Sequence, residues 1–200
     1  MKAVLLLFDS LNLLALSCYG GRIVTPNFDR LAKQTTVFDR HFVGSMPCMP
    51  ARRDLQTGRL NFMHRSWGPL EPFDVTLTGL LAQQDVHSHL VTDHYHYFKP
   101  GGSTYHSAFT TWDFIRGQEA DPWASTVTPN LDRYRELYHA DQLETERGGF
   151  RYQAMINRDR IVDLADFPCV RTFDSALSFL RENRDSDNWF LQLETFDPHE

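Results

Sequence analysis

Cysteine, positive charge and long apolar runs are all scarce in this sequence, and each shortage removes a class of protein. The three cysteines, Cys18, Cys48 and Cys169, are odd in number and widely spaced, so they form no paired disulfide framework and fit a reducing compartment. Lys and Arg total 20 against 26 Asp and Glu, a formal charge of -6. That balance leaves no broad basic field for nucleic acid, and an anionic ligand would have to be attracted by a local site. No stretch approaches the roughly 20 apolar residues of a membrane span. The opening apolar run to Phe8 is short, is closed by Asp9 and lacks a small-residue cleavage site, so it does not read as a signal peptide. With Met1 as the start, the expectation is a cytoplasmic protein that engages neither nucleic acid nor membrane.

What remains is enough for one domain with a sizeable core: 200 residues, 42% hydrophobic and 13% aromatic. Ala3 to Phe8 is a continuous apolar run and predicts a strand buried on both faces of a parallel or mixed sheet. Asp9 follows at its carboxyl end, where open α/β sheets bind ligands, so it is a candidate metal ligand, with a turn or helix cap as the plainer alternative. Leu16 to Gly21 reads as a turn. Thr25-Pro26, with Phe28, Leu31 and Ala32, predicts a short capped helix. Thr36 to Val43 reads as a second strand, Asp74 to Gln84 as a helix capped by Thr76 or Asp74, and His87 to Val91 as a further strand. Trp112 to Trp123 reads as an irregular loop, and Pro129 to Arg160 as helix and loop broken at Gly148-Gly149. Thr172 to Glu182 is an amphipathic helix, and Trp189 to Phe196 a second buried strand, ending in Asp197-Pro198-His199-Glu200.

Chemistry concentrates at Cys48. The spacing Cys48-x-Pro50-x-Arg52 places a thiol at the mouth of a predicted helix, with a proline in the tolerant first turn and an arginine four residues on, on the same face. A helix N-terminus favours an anion, and a guanidinium grips oxyanions with a planar fork. Cys18 and Cys169 read as small buried hydrophobes. A second concentration is Thr92-Asp93-His94-Tyr95-His96-Tyr97-Phe98-Lys99. On a strand, His94 and His96 would share a face, but two ligands are too few for a transition-metal site; the alternative is one histidine lining a pocket and the other exposed.

Cys48-x-Pro50-x-Arg52 followed by Leu55-x-Thr57-Gly58-Arg59, with Cys18-Tyr19-Gly20 and Thr25-Pro26-Asn27-Phe28-Asp29-Arg30-Leu31-Ala32 before it, resembles the type I sulfatases. The resemblance implies an alkaline-phosphatase-like α/β fold, a largely parallel sheet sandwiched by helices, in an incomplete N-terminal catalytic domain over residues 1–200. It implies that Cys48 is converted to formylglycine by a formylglycine-generating enzyme. One hydroxyl of the hydrated aldehyde then attacks the sulfur of a small anionic sulfate ester, and loss of the other's proton expels sulfate. Asp9 would bind a divalent cation, expected to be Ca²⁺, with Ser10 standing where the family carries a second aspartate. Arg52 would hold the nucleophile or sulfate, and His199, in the Asp-Pro-His segment, would assist the leaving group. The family's Gly-Lys-x-His motif is lacking, so His94, His96 and Lys99 are positional substitutes for its substrate contacts. The alternatives are phosphate or phosphonate ester hydrolysis on the same scaffold, or a catalytically inactive fragment. The chain ends in a loop directly after a core strand, and the expectation is a truncated product or fragment.

Overall fold

A computed structural model describes residues 1–199. Four parallel strands, β1 (Lys2–Phe8), β2 (His87–Thr92), β3 (Thr111–Phe114) and β4 (Trp189–Thr195), form one sheet in the order β1-β4-β2-β3. The strand latest in sequence therefore lies between the first and the second. Its register aligns Phe8 with Thr195 and Thr92 with Glu194, so the carboxyl ends of β1, β4 and β2 finish level. The ladder continues one step further through the Asp9 N–H, which donates to the Thr195 carbonyl at 2.9 Å.

The helices are α1 (Pro26–Ala32), α2 (Cys48–Thr57), α3 (Leu77–Ala82), α4 (Leu131–Leu137), α5 (Phe150–Arg158) and α6 (Pro168–Glu182), of which α2 and α3 pack on one face of the sheet and α6 on the other. Because strand side chains alternate, β4 serves two cores at once. Phe190 packs with Met49 of α2 and with Leu90, Tyr97, Tyr105 and Phe109, while Leu191 and Leu193 pack with Ala176 and Phe179 of α6. A smaller cluster of Tyr134, Tyr152, Met155 and Ile156 binds α4 to α5, in the polar stretch that the sequence reads as helix and loop. Gly149 immediately precedes α5, where the Gly148-Gly149 break falls.

Thr76 is the cap of α3, its hydroxyl accepting from the Gly79 N–H at 3.1 Å. Thr25 precedes Pro26 at the start of α1 but caps nothing with its side chain; its hydroxyl oxygen accepts from the Ser17 N–H instead.

Four expectations are corrected. Thr36 to Val43 is no strand: the segment is exposed throughout and has no sheet neighbour among the described residues. β1 is an edge strand, at most half-buried, with Val4 and Leu6 exposed. Trp112 to Phe114, the start of the stretch read as a loop, forms β3 together with Thr111 and pairs with β2 as the other edge. Cys18 and Cys169 are half-buried, not enclosed.

Candidate active site

The level carboxyl ends of β1, β2 and β4 bring Asp9, Asp93 and the segment from Phe196 to His199 to one end of the sheet. The first turn of α2 is set against them. α2 starts at Cys48, tolerates Pro50 because a first-turn residue needs no intrahelical donor, and ends at Gly58, whose φ of 67° suits glycine.

Arg52 is the centre of the arrangement and is nearly enclosed. It donates to Glu194 Oε1 through Nε at 3.0 Å and Nη2 at 2.6 Å, to Asp9 Oδ2 through Nη2 at 2.8 Å, and to the Cys48 carbonyl through Nη1 at 3.4 Å. Its fork is thus filled by protein carboxylates. Glu194, fully buried, accepts in addition from His94 Nδ1 at 2.7 Å, from the Tyr97 hydroxyl at 2.7 Å and from Gln192 at 3.1 Å. Burial alone would raise the Glu194 carboxyl; the Arg52 charge, with the hydrogen bonds from His94 and Tyr97, outweighs it and holds the group well below the ordinary carboxylate range.

His94 precedes and His96 lies within a 3-10 turn, Tyr95–Phe98, beyond the end of β2, so the expectation that they share a strand face is corrected. The turn nevertheless points one ring at the other, His94 Nε2 standing 3.2 Å from His96 Nδ1. With Nδ1–H given to Glu194, neutral His94 presents a lone pair at Nε2, and the His96 Nδ1–H donates to it. Burial pulls both rings toward the neutral form, His96 down to about 3 with charges on His94 and Lys99 adding.

The Cys48 thiol is pushed up to about 11, first by burial and then by the Asp9 charge, against which Arg52 works. A buried neutral thiol is a poor nucleophile. Its sulfur lies within 4.8 Å of ligand atoms of two groups, His94 with His96, and Asp9 with His199. His199 is held from the other side: its Nδ1 is 2.8 Å from Glu119 Oε1, and its ring lies 4.5 Å from that of Phe196. Cys48, Arg52, Asp9, His94, His96 and His199 therefore come together.

Two expected residues stand at the edge. Ser10 is exposed, at a φ of 54°, and its hydroxyl donates to Asp9 Oδ1 at 3.0 Å. Lys99 lies over the Tyr95 ring at 4.2 Å and lines a cavity of about 640 Å³ with Arg147, Tyr152 and Gln153. A neighbouring cavity of about 680 Å³ is lined by His199, Glu119, Asp197, Tyr138, Arg151 and Arg158.

Glu194, Glu119 and Tyr97 carry no role in the sequence reading. Glu194 had a signal: a carboxylate inside an otherwise buried strand must find a cation, and an arginine one helix face from the reactive cysteine was available.

A family model for sulfatases matches residues 2–200. The chain belongs to the sulfatase family. This sulfatase chain is 42% identical over 57 residues to arylsulfatase H of Canis lupus familiaris, covering 28% of this chain and 10% of that protein. It is 31% identical over 103 residues to the steryl-sulfatase of Rattus norvegicus, covering 44% and 18%. Its fold matches that of a protein solved in complex with its substrate D-glucosamine-2-N,6-O-disulfate, with a TM-score of 0.63 at 18% identity over 99% of this chain and 34% of that one. It also matches the phosphonate monoester hydrolase of Agrobacterium radiobacter, with a TM-score of 0.62 at 20% identity over 100% and 41%. The α/β fold with its parallel sheet is thus that of the sulfatases, and the chain spans well under half the length of each of these proteins.

Calcium takes about 6 to 8 oxygen ligands. Among the site's carboxylates, Glu194 is held by Arg52, His94 and Tyr97, Glu119 meets His199, and Asp9 accepts from Arg52 at one oxygen and from Ser10 at the other. By themselves these residues do not complete a calcium site. No helix among the described residues is long and apolar enough to cross a membrane.

Proposed function

We propose that residues 1–200 are the N-terminal catalytic portion of a sulfuric ester hydrolase whose nucleophile is formylglycine made from Cys48 by a formylglycine-generating enzyme. The observation that carries this reading is the sulfatase match over residues 2–200, with Cys48 at the first turn of α2 against the carboxyl ends of β1 and β4. The protonated state of the buried thiol supports it, since the sulfur is ill suited to attack an ester itself. The hydrated aldehyde supplies an oxygen nucleophile and a second hydroxyl through which sulfate can be expelled.

The other roles follow from the contacts. Arg52 holds Asp9 and Glu194 and steadies the first turn of α2, a positioning task more than a free anion grip. Glu194 orients His94, and His94 orients His96, which together with Lys99 contact the substrate. Glu119 fixes the His199 ring, and His199 is the group that assists the leaving oxygen. The cavity lined by His199, Tyr138, Arg151 and Arg158 receives the alcohol side of a small sulfate ester. Asp9 and Ser10 contribute to a divalent cation site, proposed to be calcium, whose remaining oxygens come from elsewhere in a longer protein. The three free thiols support a cytoplasmic location.

A second reading, phosphate or phosphonate ester hydrolysis, is favoured by the fold match to the phosphonate monoester hydrolase. Mass spectrometry of the Cys48 peptide from the native host, beside turnover of an aryl sulfate and an aryl phosphonate by the full-length protein, tests both. Aldehyde at position 48 with a preference for the sulfate is expected. Intact thiol at full occupancy would sink the nucleophile assignment, and a preference for the phosphonate would move the protein to the second reading.

A further inference from the structure

The two histidines beside Cys48 have the geometry of metal ligands, and a different kind from the oxygen ligands of Asp9. Two imidazole nitrogens on one tetrahedral zinc, each at about 2.0–2.1 Å, stand about 3.3–3.4 Å apart. His94 Nε2 and His96 Nδ1 are 3.2 Å apart. The other nitrogen of His94 is held by a buried carboxylate, Glu194 Oε1 at 2.7 Å, the outer contact that orients ligating histidines in metal sites. The third ligand missing from the sequence is supplied by the fold: Cys48 Sγ and a nitrogen of each ring all lie within 4.8 Å of one another. Closing to the S···N edge of a zinc tetrahedron, about 3.5–3.6 Å for a Zn–S bond of about 2.3 Å, requires at most roughly 1.3 Å of movement.

We propose that the chain with unconverted Cys48 binds zinc through Cys48 Sγ, His94 Nε2 and His96 Nδ1, with the fourth position open to water. One thiolate with two imidazoles is a soft donor set that selects zinc over calcium or magnesium. The sulfur also lies near Asp9 and His199, but Asp9 already has both oxygens engaged, by Arg52 and Ser10. Binding breaks the S–H bond and forms the S–Zn bond, the thiol proton passing to solvent, while His96 carries its ring proton on Nε2. The site needs only the cysteine and does not depend on ester hydrolysis. On the reading above, conversion of Cys48 removes the sulfur and with it the site, so zinc and the converting enzyme compete for the same residue.

The test uses residues 1–200 made in a host without the converting enzyme, with the free thiol at position 48 verified by mass and no ester present. Zn²⁺ is titrated against a chromophoric chelator, and Co²⁺ is titrated as a spectroscopic substitute. The expected result is one ion per chain, one proton released per ion, and a thiolate-to-cobalt charge-transfer band. Cys48→Ser and His96→Gln should each lose more affinity than the roughly 10- to 100-fold that losing an outer partner costs, and Glu194→Gln should fall within that range. Cys18→Ser and Cys169→Ser should bind as the parent does. Circular dichroism identifies variants that fold, and if Cys48→Ser does not, His96→Gln, whose ring is only half-buried, decides the matter. Absence of the charge-transfer band, or affinity unchanged in His96→Gln, overturns the proposal. So does loss of binding in His199→Gln but not in His96→Gln, which would place the ion beside Asp9.

Discussion

Arg52 and Arg53 are neighbours on α2 and equally withdrawn from water, at 5% and 2% exposed, yet they sit in differently balanced surroundings. Arg53 meets one carboxylate squarely: Nε and Nη2 donate to the two oxygens of Asp74 at 2.8 and 2.7 Å, and Nη1 reaches Asn61. One positive charge answers one negative charge, and the pair braces α2 against the segment before α3. Arg52 faces two carboxylates, Glu194 and Asp9, in a group that also holds Cys48, His94 and Tyr97. There the charges are left unequal by one. A structural ion pair closes its account within the fold, whereas a site built for chemistry keeps a net charge for something else to meet.

The sharpest way to break this comparison is to remove each arginine alone and then with its partner. Arg52→Met and Arg53→Met each leave a buried carboxylate without its cation and are expected to cost on the order of 3–5 kcal/mol in urea unfolding. Exchanging Arg53 and Asp74 together, for Met and Leu, should recover most of that loss, because apolar groups of similar volume often replace a buried pair without penalty. Arg52→Met with Glu194→Leu should recover little, since Asp9, His94 Nδ1 and the Tyr97 hydroxyl all lose partners. Equal recovery in the two double variants would mean that the two sides of α2 do not differ as described.

A smaller effect comes from a carboxyl that has no cation at all. Asp93 is fully buried, accepts from the Phe196 N–H at 2.7 Å through Oδ1, and has no partner at Oδ2 among the described residues. Burial pushes it up to about 7, with Asp197 and Glu194 adding. The folded state therefore prefers the protonated form, so its contribution is complete below the ordinary aspartate value of about 3.9 and is lost as pH rises through about 7. Asp93→Asn should remove roughly 2–4 kcal/mol of the stability lost between about pH 4 and pH 8. Parallel pH profiles for parent and variant would show instead that Asp93 is ionised in the fold. Glu194 has the opposite sign, its stabilisation present above about 4.3 and lost as pH falls through its depressed folded value.

The smallest expected effect lies on the braced side. Thr76 caps α3, and Thr78 on that helix donates to Gln56 of α2 at 3.2 Å. Thr76→Ala should cost about 1 kcal/mol of stability. It should leave any zinc affinity of Cys48 unaltered, and a change in that affinity would mean that the two sides are coupled through α2.

The parts of the fold that were legible in the sequence are those fixed by local pattern. β2, β4, α1, α3 and α6 follow from periodicity and capping, and Asp9 and His199 follow from standing just past the ends of strands. The spacing around Cys48 placed it at the mouth of a helix, the resemblance supplied the type of fold, and the strand order emerged only with the structure. What escaped depends on partners distant in sequence. Thr36 to Val43 has a strand's composition but no neighbour to pair with, whereas Thr111 to Phe114 is short and mixed yet becomes a strand because β2 offers an edge. Arg52 reads as a free anion grip until β4, some 142 residues later, brings Glu194 to it. His94 and His96 meet because the chain turns after Thr92, not because a strand displays them.

The place of β4 between β1 and β2 also imposes an order of events during synthesis. β1 and β2 cannot be bridged until residues 189–195 have emerged, because β4 is hydrogen-bonded to both. At about 5–20 residues per second, the 147 positions from Cys48 to Thr195 take roughly 7–30 s to add. Throughout that interval Glu194 does not exist, Arg52 has lost its principal anion and the sheet has no centre. The first turn of α2 gains its anchor in the sheet only when that one late strand arrives.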